Sequence, residues 1–173
     1  LTADGDDAKM HITGTGSADL TAAAQIEGFV TLDYAVGITN LTLTDSGWSV
    51  TVTPHNATLV SGDNSGGDDS FRFVNGAWND KTRTIQDFLQ GSGNDVLGFD
   101  SLMGLGSYCE EVADTGVDAA LATTPGGKDY VFDSTNQRLI VDWNQDDAFG
   151  AGDFVINLPG VTNLTGGVDL TVF

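Results

Sequence analysis

The chain has few basic residues: 6 Lys and Arg stand against 25 Asp and Glu among its 173 residues. The formal net charge is −19 at pH 7, which argues against nucleic acid as a partner because phosphate would be repelled. Asp far outnumbers Glu. Because Asp favours turns and supplies a short oxygen ligand, this composition indicates cation binding more than a merely hydrated helical surface.

Other absences narrow the class of protein further. The single Cys109 excludes an internal disulfide, and no apolar run approaches the ~20 residues that span a bilayer. The opening residues 1–7 are polar and show no signal-peptide pattern. The only histidines, His11 and His55, lie in strand-like and turn-like segments, and Cys109 has no evident partner in the sequence. Carboxylates are numerous enough for a glycosidase-type pair, but nothing in the sequence singles one out, so the chain is predicted not to be an enzyme.

Short apolar clusters recur about every ten residues, with almost no helical periodicity. Several alternate with polar residues, as in Val50-Thr51-Val52, which predicts half-buried strands. A sandwich or barrel would also fit this spacing. Connectors that set Gly beside Asp, at residues 14–19, 62–69 and 91–95, favour a parallel β-roll or β-solenoid-like stack. We expect an all-β fold with a Thr/Gly-rich stack at 1–80 and a β-rich C-terminal cap at 81–173.

The stretch 90–98, Gln-Gly-Ser-Gly-Asn-Asp-Val-Leu-Gly, matches most of a calcium-binding glycine-rich repeat. Gly91 and Gly93 occupy two glycine positions and Asp95 the aspartate position, while Gln90 replaces the first glycine. Glycine lets the backbone turn tightly and Asp supplies an anionic oxygen. The alternative interpretation is a plain turn between two strands.

Several segments, taken in their order along the chain, resemble the C-terminal region of bacterial RTX (repeats-in-toxin) proteins exported by type I secretion. The segments are 69–73, 84–88, 91–102, 130–135 and 139–142. The resemblance implies a secreted, calcium-binding protein without an activity of its own. It implies calcium ligands at Asp68, Asp69, Asp87 and Asp95, and Asp63 in the same Gly-Asp connector is a further candidate.

A second candidate site lies at residues 142–153. Asp142, Asn144, Asp146 and Asp153 stand at positions 1, 3, 5 and 12 of a twelve-residue loop, the spacing with which an EF-hand loop binds Ca²⁺. Asp147 replaces the glycine that the pattern requires at position 6. An acidic hairpin turn that merely faces solvent is the alternative interpretation.

These observations predict a secreted or cell-surface structural protein whose folding is stabilised by calcium. Residues 12–21 and 37–43 resemble the Thr/Gly-rich repeats of bacterial surface-layer and adhesin proteins, which implies a second possibility. The chain would then assemble with copies of itself into a lattice or filament through calcium-bridged contacts. Two further alternatives are the C-terminal module of a secreted hydrolase and a carbohydrate-binding adhesin that uses exposed tryptophans.

Overall fold

A computed structural model describes residues 9–12, 16–19, 31–34, 38–42, 49–52, 57–60, 69–91, 94–122 and 127–173. These residues form fourteen β-strands and very little helix, so the predicted β-rich fold is confirmed. The strands belong to two sheets, and neither sheet closes on itself among the described strands.

Six strands form a sheet in which every pair of neighbours is parallel. In spatial order they are β1 (Lys9–Ile12), β3 (Thr31–Tyr34), β5 (Ser49–Val52), β7 (Ser70–Phe73), β9 (Val96–Phe99) and β14 (Leu170–Val172). Parallel neighbours must be joined by crossovers, and here each crossover runs through the other sheet.

The other sheet has eight strands and is parallel except where β12 pairs with β11 and β13 in the antiparallel sense. In spatial order it contains β10 (Tyr108–Val112), β11 (Tyr130–Asp133), β12 (Arg138–Val141), β13 (Phe154–Asn157), β8 (Thr82–Gln86), β6 (Ala57–Val60), β4 (Ile38–Thr42) and β2 (Gly16–Asp19). Alternation between the sheets has already ended one strand earlier, because β11 follows β10 in this same sheet.

From β1 to β9 the chain alternates strictly between the two sheets. β13 and β14 resume this order beside β8 and β9, where Thr82 pairs with Val155 and Leu97 with Leu170. Both pairs are separated by 73 residues along the chain, so the whole segment that includes β10 to β12 is an excursion from the alternating path. Strands on both sides of residue 80 pair directly, and the division into 1–80 and 81–173 stays a prediction.

The strands follow the two-residue alternation of apolar and polar side chains. In β5, Val50 and Val52 are fully buried while Thr51 between them is half-buried. In β7, Phe71 and Phe73 are buried on the same side. Because successive side chains of a strand point to opposite faces, each strand contributes every second residue to the core between the sheets.

Aromatic rings fill much of this core. Phe73 stacks on Phe99 with ring centroids 5.2 Å apart, and Trp78 lies 4.4 Å from Phe154. Trp78 is fully buried, and its indole Nε1–H donates to the Val74 carbonyl oxygen at 3.0 Å. The indole therefore buries its large apolar surface without leaving its one donor unsatisfied.

The excursion forms a β-rich cap with a small second core. The short helix α1 (Val117–Leu121) packs Val117 and Leu121 against Val131 of β11 and Ile140 of β12. The opposite faces of β11 and β12 contribute to the main core. Both faces of these central cap strands are therefore covered.

Among the residues that the structure describes, helical structure consists of α1 and two 3-10 helices, Ser101–Met103 and Asp114–Gly116. No helix in the described ranges is long and apolar enough to cross a membrane. Taken alone, the sequence of residues 110–113, Glu-Glu-Val-Ala, predicts a short helical or irregular segment, but residues 110–112 belong to β10. This prediction was wrong because pairing with β11 supplies backbone partners that local sequence does not reveal.

Candidate functional site

The loop 142–153, which joins β12 to β13, collects the densest group of oxygen side chains in the described part of the chain. Val141 pairs with Phe154 across the two strands, so Asp142 and Asp153 lie next to this pair at the base of the loop. Their exposed fractions are 0% and 3%. The strand register therefore brings two buried carboxyl groups together from opposite ends of the loop.

Backbone amides of the loop donate to both carboxyl groups. Asp142 accepts from the amides of Asp146 at 3.2 Å and Asp147 at 2.9 Å. Asp153 accepts from the amides of Trp143 at 3.2 Å and Gly150 at 2.8 Å. These four hydrogen bonds give acceptors to backbone amides that would otherwise lack them inside a tight loop, and they hold the loop backbone in one conformation.

The middle of the loop shows why its sequence tolerates a departure from the EF-hand pattern. Asp147 replaces the expected glycine, yet its φ is 61°, in the left-handed region that Asp enters more readily than most residues. Gly152 has φ 102°, and a Cβ there would lie 2.8 Å from the Asn144 side-chain nitrogen. Asn144 itself donates to Asp146 Oδ2 at 2.9 Å.

The carboxyl groups of the loop repel one another. Burial, together with the nearby Asp142 and Asp146 carboxylates, raises the pKa of Asp153 to about 6 against the lowering effect of the Gly150 and Trp143 amides. Burial, assisted by Asp146, also raises the pKa of Asp142. A raised carboxyl pKa means that the local environment disfavours the charged form of the group. The loop thus carries negative charge that nearby amides only partly offset.

Two acidic residues outside the loop also bind its backbone. Asp80, in the turn before β8, accepts from the Gly152 amide at 2.6 Å. Asp118 of α1 accepts from the Phe149 amide at 2.9 Å. Sequence reasoning missed both, because no spacing connects them with residues 142–153. The loop consequently joins three parts of the fold: the β12–β13 hairpin, the β8 turn and α1.

The donor chemistry of the loop suits Ca²⁺, since carboxylate, amide and backbone oxygens are the ligands that this cation prefers. Even so, no group of three or more His, Cys, Asp or Glu side chains in the described ranges is already arranged to hold a metal ion. The carboxylates are turned toward backbone amides instead. The residues fit a calcium ion in chemical type and charge, and binding would require them to exchange some amide bonds for the cation.

Asp95 has a different environment from the loop. Its carboxyl group is buried and accepts from the Asp69 amide at 2.9 Å and the Leu89 amide at 2.9 Å. Asp69 directly precedes β7 and Asp95 directly precedes β9, so this side chain links one strand of the six-stranded sheet to the next. The sequence identified Asp95 as important, and the structure gives its side chain a backbone-bridging role.

Asp169, which sequence reasoning did not single out, repeats this arrangement before β14. Its carboxyl group is buried and accepts from the amides of Gly91 at 2.5 Å and Thr165 at 2.7 Å. Gly91 has φ 106°, a backbone conformation that favours glycine, and its amide donates to Asp169. A signal existed in the sequence: Asp169-Leu170 places Asp before an apolar strand as Asp95-Val96 does.

The remaining predicted ligands are scattered. Asp87 is exposed in the turn after β8, with φ 58°. Asp63, Asp68 and Gly93 lie outside the described residues. The structure therefore brings together Asp142, Asn144, Asp146 and Asp153 on one loop, whereas Asp69 and Asp95 meet between β7 and β9.

The tryptophans give little support to a sugar-binding surface. Trp78 is fully buried, and the face of the half-buried Trp143 is covered by Lys128, whose Nζ lies 3.8 Å from the ring centroid. Trp48 lies outside the described residues. Trp78 is therefore not available as an exposed stacking ring.

The Asp side chains with backbone amide partners described above form two groups. One group bridges neighbouring strands, and the other lies in or around the loop 142–153. Only the second group combines buried carboxyl groups, mutual repulsion and an oxygen-rich loop. Comparison of the chain with protein-family models, with curated proteins and with solved structures gave no match.

Proposed function

We propose that the chain is a calcium-binding structural module of a secreted or cell-surface protein, without catalytic activity of its own. The observation that carries this proposal is the loop 142–153, in which the pKa of the buried Asp153 is raised to about 6. A divalent cation held by Asp142, Asn144, Asp146 and Asp153 would remove the repulsion that raises this pKa. The cation would supply positive charge, and the oxygen atoms of the loop would coordinate it.

The arrangement of strands supports a parallel β-roll or β-solenoid-like stack closed by a cap. Parallel strands alternate between two sheets from β1 to β9, and the cap strands follow at one end of the eight-stranded sheet. The ordered segments that resemble RTX C-terminal regions agree with such a stack and with export from the cell. In a low-calcium cytoplasm the cap loop would stay strained by its own charge, and outside the cell calcium would stabilise it.

A calcium titration tests the proposal. Adding Ca²⁺ to chelated protein is expected to raise the melting temperature, because a ligand at 100 times its Kd stabilises the folded state by about 2.7 kcal/mol. Asp153→Asn removes one of the repelling charges, so this variant should melt higher than wild type in chelator and gain less from calcium. Asp87→Asn, at the predicted ligand in an exposed turn outside the loop, should gain as much as wild type if the loop holds the ion, and a smaller gain would assign calcium to Asp87 as well. A wild-type melting curve unaffected by calcium would contradict the proposal.

The same titration at lower pH adds a second readout. The folded protein holds the Asp153 proton more tightly than the unfolded chain, whose carboxyl pKa is near 3.8. In chelator the free energy of unfolding should therefore increase as pH falls from about 6 toward 3.8. The gain from calcium should shrink over that range, because protons compete with the cation. Asp153→Asn should flatten the chelated pH profile.

Self-association is a second candidate function, favoured by exposed apolar side chains at one edge of the six-stranded sheet. We call Leu102, Val172 and Phe173 the terminal apolar patch; their exposed fractions are 75%, 59% and 43%. They are neighbours, since the Phe173 amide donates to Phe99 and its carbonyl accepts from Ser101. Among the described strands β14 pairs only with β9, and apart from the bridge between Leu170 and Gly166 its outer edge is the kind of open strand edge that invites a further strand. A second copy of this chain is the occupant proposed.

Sedimentation velocity with and without Ca²⁺ tests this candidate. Like charges on two copies repel, so association should increase when calcium neutralises carboxylates. Leu102→Ser, at the most exposed member of the terminal apolar patch, should weaken association without lowering the melting temperature. A monomer at all calcium concentrations would overturn self-association while leaving the calcium proposal to the titration above.

A further inference from the structure

Asn75 and Gly76 form the only Asn-Gly pair in the chain. They lie in a bend immediately after β7, between Phe73 and the buried Trp78. The Asn75 side chain is exposed, and neither it nor the Gly76 amide has a hydrogen-bond partner within the ranges that the structure describes. The side-chain amide and the following backbone nitrogen are thus both available for reaction.

We propose that Asn75 is a site of spontaneous deamidation that converts this bend to an aspartyl or isoaspartyl form. The deprotonated backbone nitrogen of Gly76 attacks the Asn75 side-chain carbonyl carbon, a C–N bond forms and ammonia leaves. Water then opens the five-membered imide at either carbonyl, which yields Asp or isoAsp. No oxidant, reductant or enzyme is required. Gly76 favours the attack because it has no Cβ to obstruct the nitrogen and its backbone is flexible.

Other asparagines are held in ways that oppose this reaction. Asn94 donates its Nδ2 to the Gln90 carbonyl at 2.8 Å, and Asn144 donates its Nδ2 to the Ala151 carbonyl at 2.9 Å. Each would have to break that bond to bring its side-chain carbon against the next backbone nitrogen. Within the described ranges Asn75 makes a hydrogen bond only through its backbone, since its amide donates to Asp100 Oδ2 at 3.3 Å.

That contact determines the structural effect of the reaction. Asp100 also accepts from the Leu102 amide at 2.9 Å and donates its own backbone N–H to the Phe73 carbonyl at 2.9 Å, so it connects the bend after β7 to the turn after β9. Deamidation adds a carboxylate next to Asp100, and isoAsp also lengthens the backbone by one carbon. Like charges and a displaced amide both weaken this connection.

Peptide mapping of aged protein tests the proposal directly. Trypsin cuts after Arg72 and Lys81, and the peptide 73–81 contains Asn75 together with Asn79, which is also exposed but precedes Asp80. After incubation of the full chain at mildly alkaline pH, fragmentation spectra should place deamidation at Asn75 at least about tenfold above Asn79, because only Asn75 precedes a glycine. Equal or undetectable conversion at the two positions would overturn the proposal.

Three variants distinguish deamidation and its effect on stability from general unfolding. Gly76→Ala should slow the conversion about tenfold, since the added Cβ obstructs attack; Gly76 has no positive φ, so alanine is compatible with its backbone. Asn75→Gln should abolish conversion at this position while the melting temperature stays at the wild-type value. Asn75→Asp should melt lower than Asn75→Gln, and identical melting temperatures would contradict the role assigned to the contact with Asp100.

Discussion

Replacing Asp95 by alanine is expected to lower the free energy of unfolding by about 2–6 kcal/mol, with or without calcium. The buried Asp95 carboxyl group accepts from the amides of Asp69 and Leu89, each at 2.9 Å. Alanine leaves both donors inside the protein without this acceptor, and each unsatisfied buried donor costs about 1–3 kcal/mol. Urea denaturation in the presence of chelator measures the loss.

The matched variant Asp95→Asn keeps one carbonyl oxygen as acceptor and should lose clearly less stability than the alanine variant. The two substitutions also distinguish the structural role of Asp95 from the ligand role predicted from the repeat pattern. If Asp95→Ala were as stable as wild type in chelator and weaker only in calcium, the backbone-bridging role would be wrong and the ligand prediction right.

Trp78→Ala is expected to cost about 3–5 kcal/mol of unfolding free energy, the usual range for removing a buried large aromatic residue. The indole is fully buried and lies 5.6 Å from the Phe73 ring and 4.4 Å from the Phe154 ring. These neighbours come from both sheets, so the side chain fills space that neither sheet can close alone. Chemical denaturation followed by circular dichroism measures the loss.

Trp143→Ala is the matched control, because Trp143 is only half-buried and packs at the margin of the same core. Its loss should be clearly smaller than that of Trp78→Ala. Equal losses would show that burial between the sheets is not what makes Trp78 important.

Sequence alone predicted the strand-rich fold because the alternation in segments such as Val50-Thr51-Val52 is a local property. It did not predict β10, since Glu110 and Glu111 acquire strand geometry by pairing with β11. Local preference has little influence where a partner strand supplies the hydrogen bonds. The order in which strands enter two sheets depends on contacts between residues far apart in the chain, which periodicity does not encode.

The candidate site was predictable to the extent that its members are close in sequence. Asp142, Asn144, Asp146 and Asp153 lie on one loop, and their spacing was sufficient to group them. Asp80 reaches the same loop from the turn before β8, 72 residues from Gly152, and no local pattern indicates such a contact. The same limitation applies to Asp95: its hydrogen-bond partner Asp69 is 26 residues away, so the local sequence does not reveal that the Asp95 side chain accepts from that amide.

The separation of 73 residues between Thr82 and Val155, and between Leu97 and Leu170, bears on the order in which the molecule folds. β13 and β14 cannot pair with β8 and β9 until the intervening chain has been brought back, and closing a loop of this length costs entropy before any contact offsets it. Until then β8 and β9 each present an open edge, the kind of surface through which partly folded chains aggregate. The final pairing step is therefore the slow one, and it is also the step that protects the molecule.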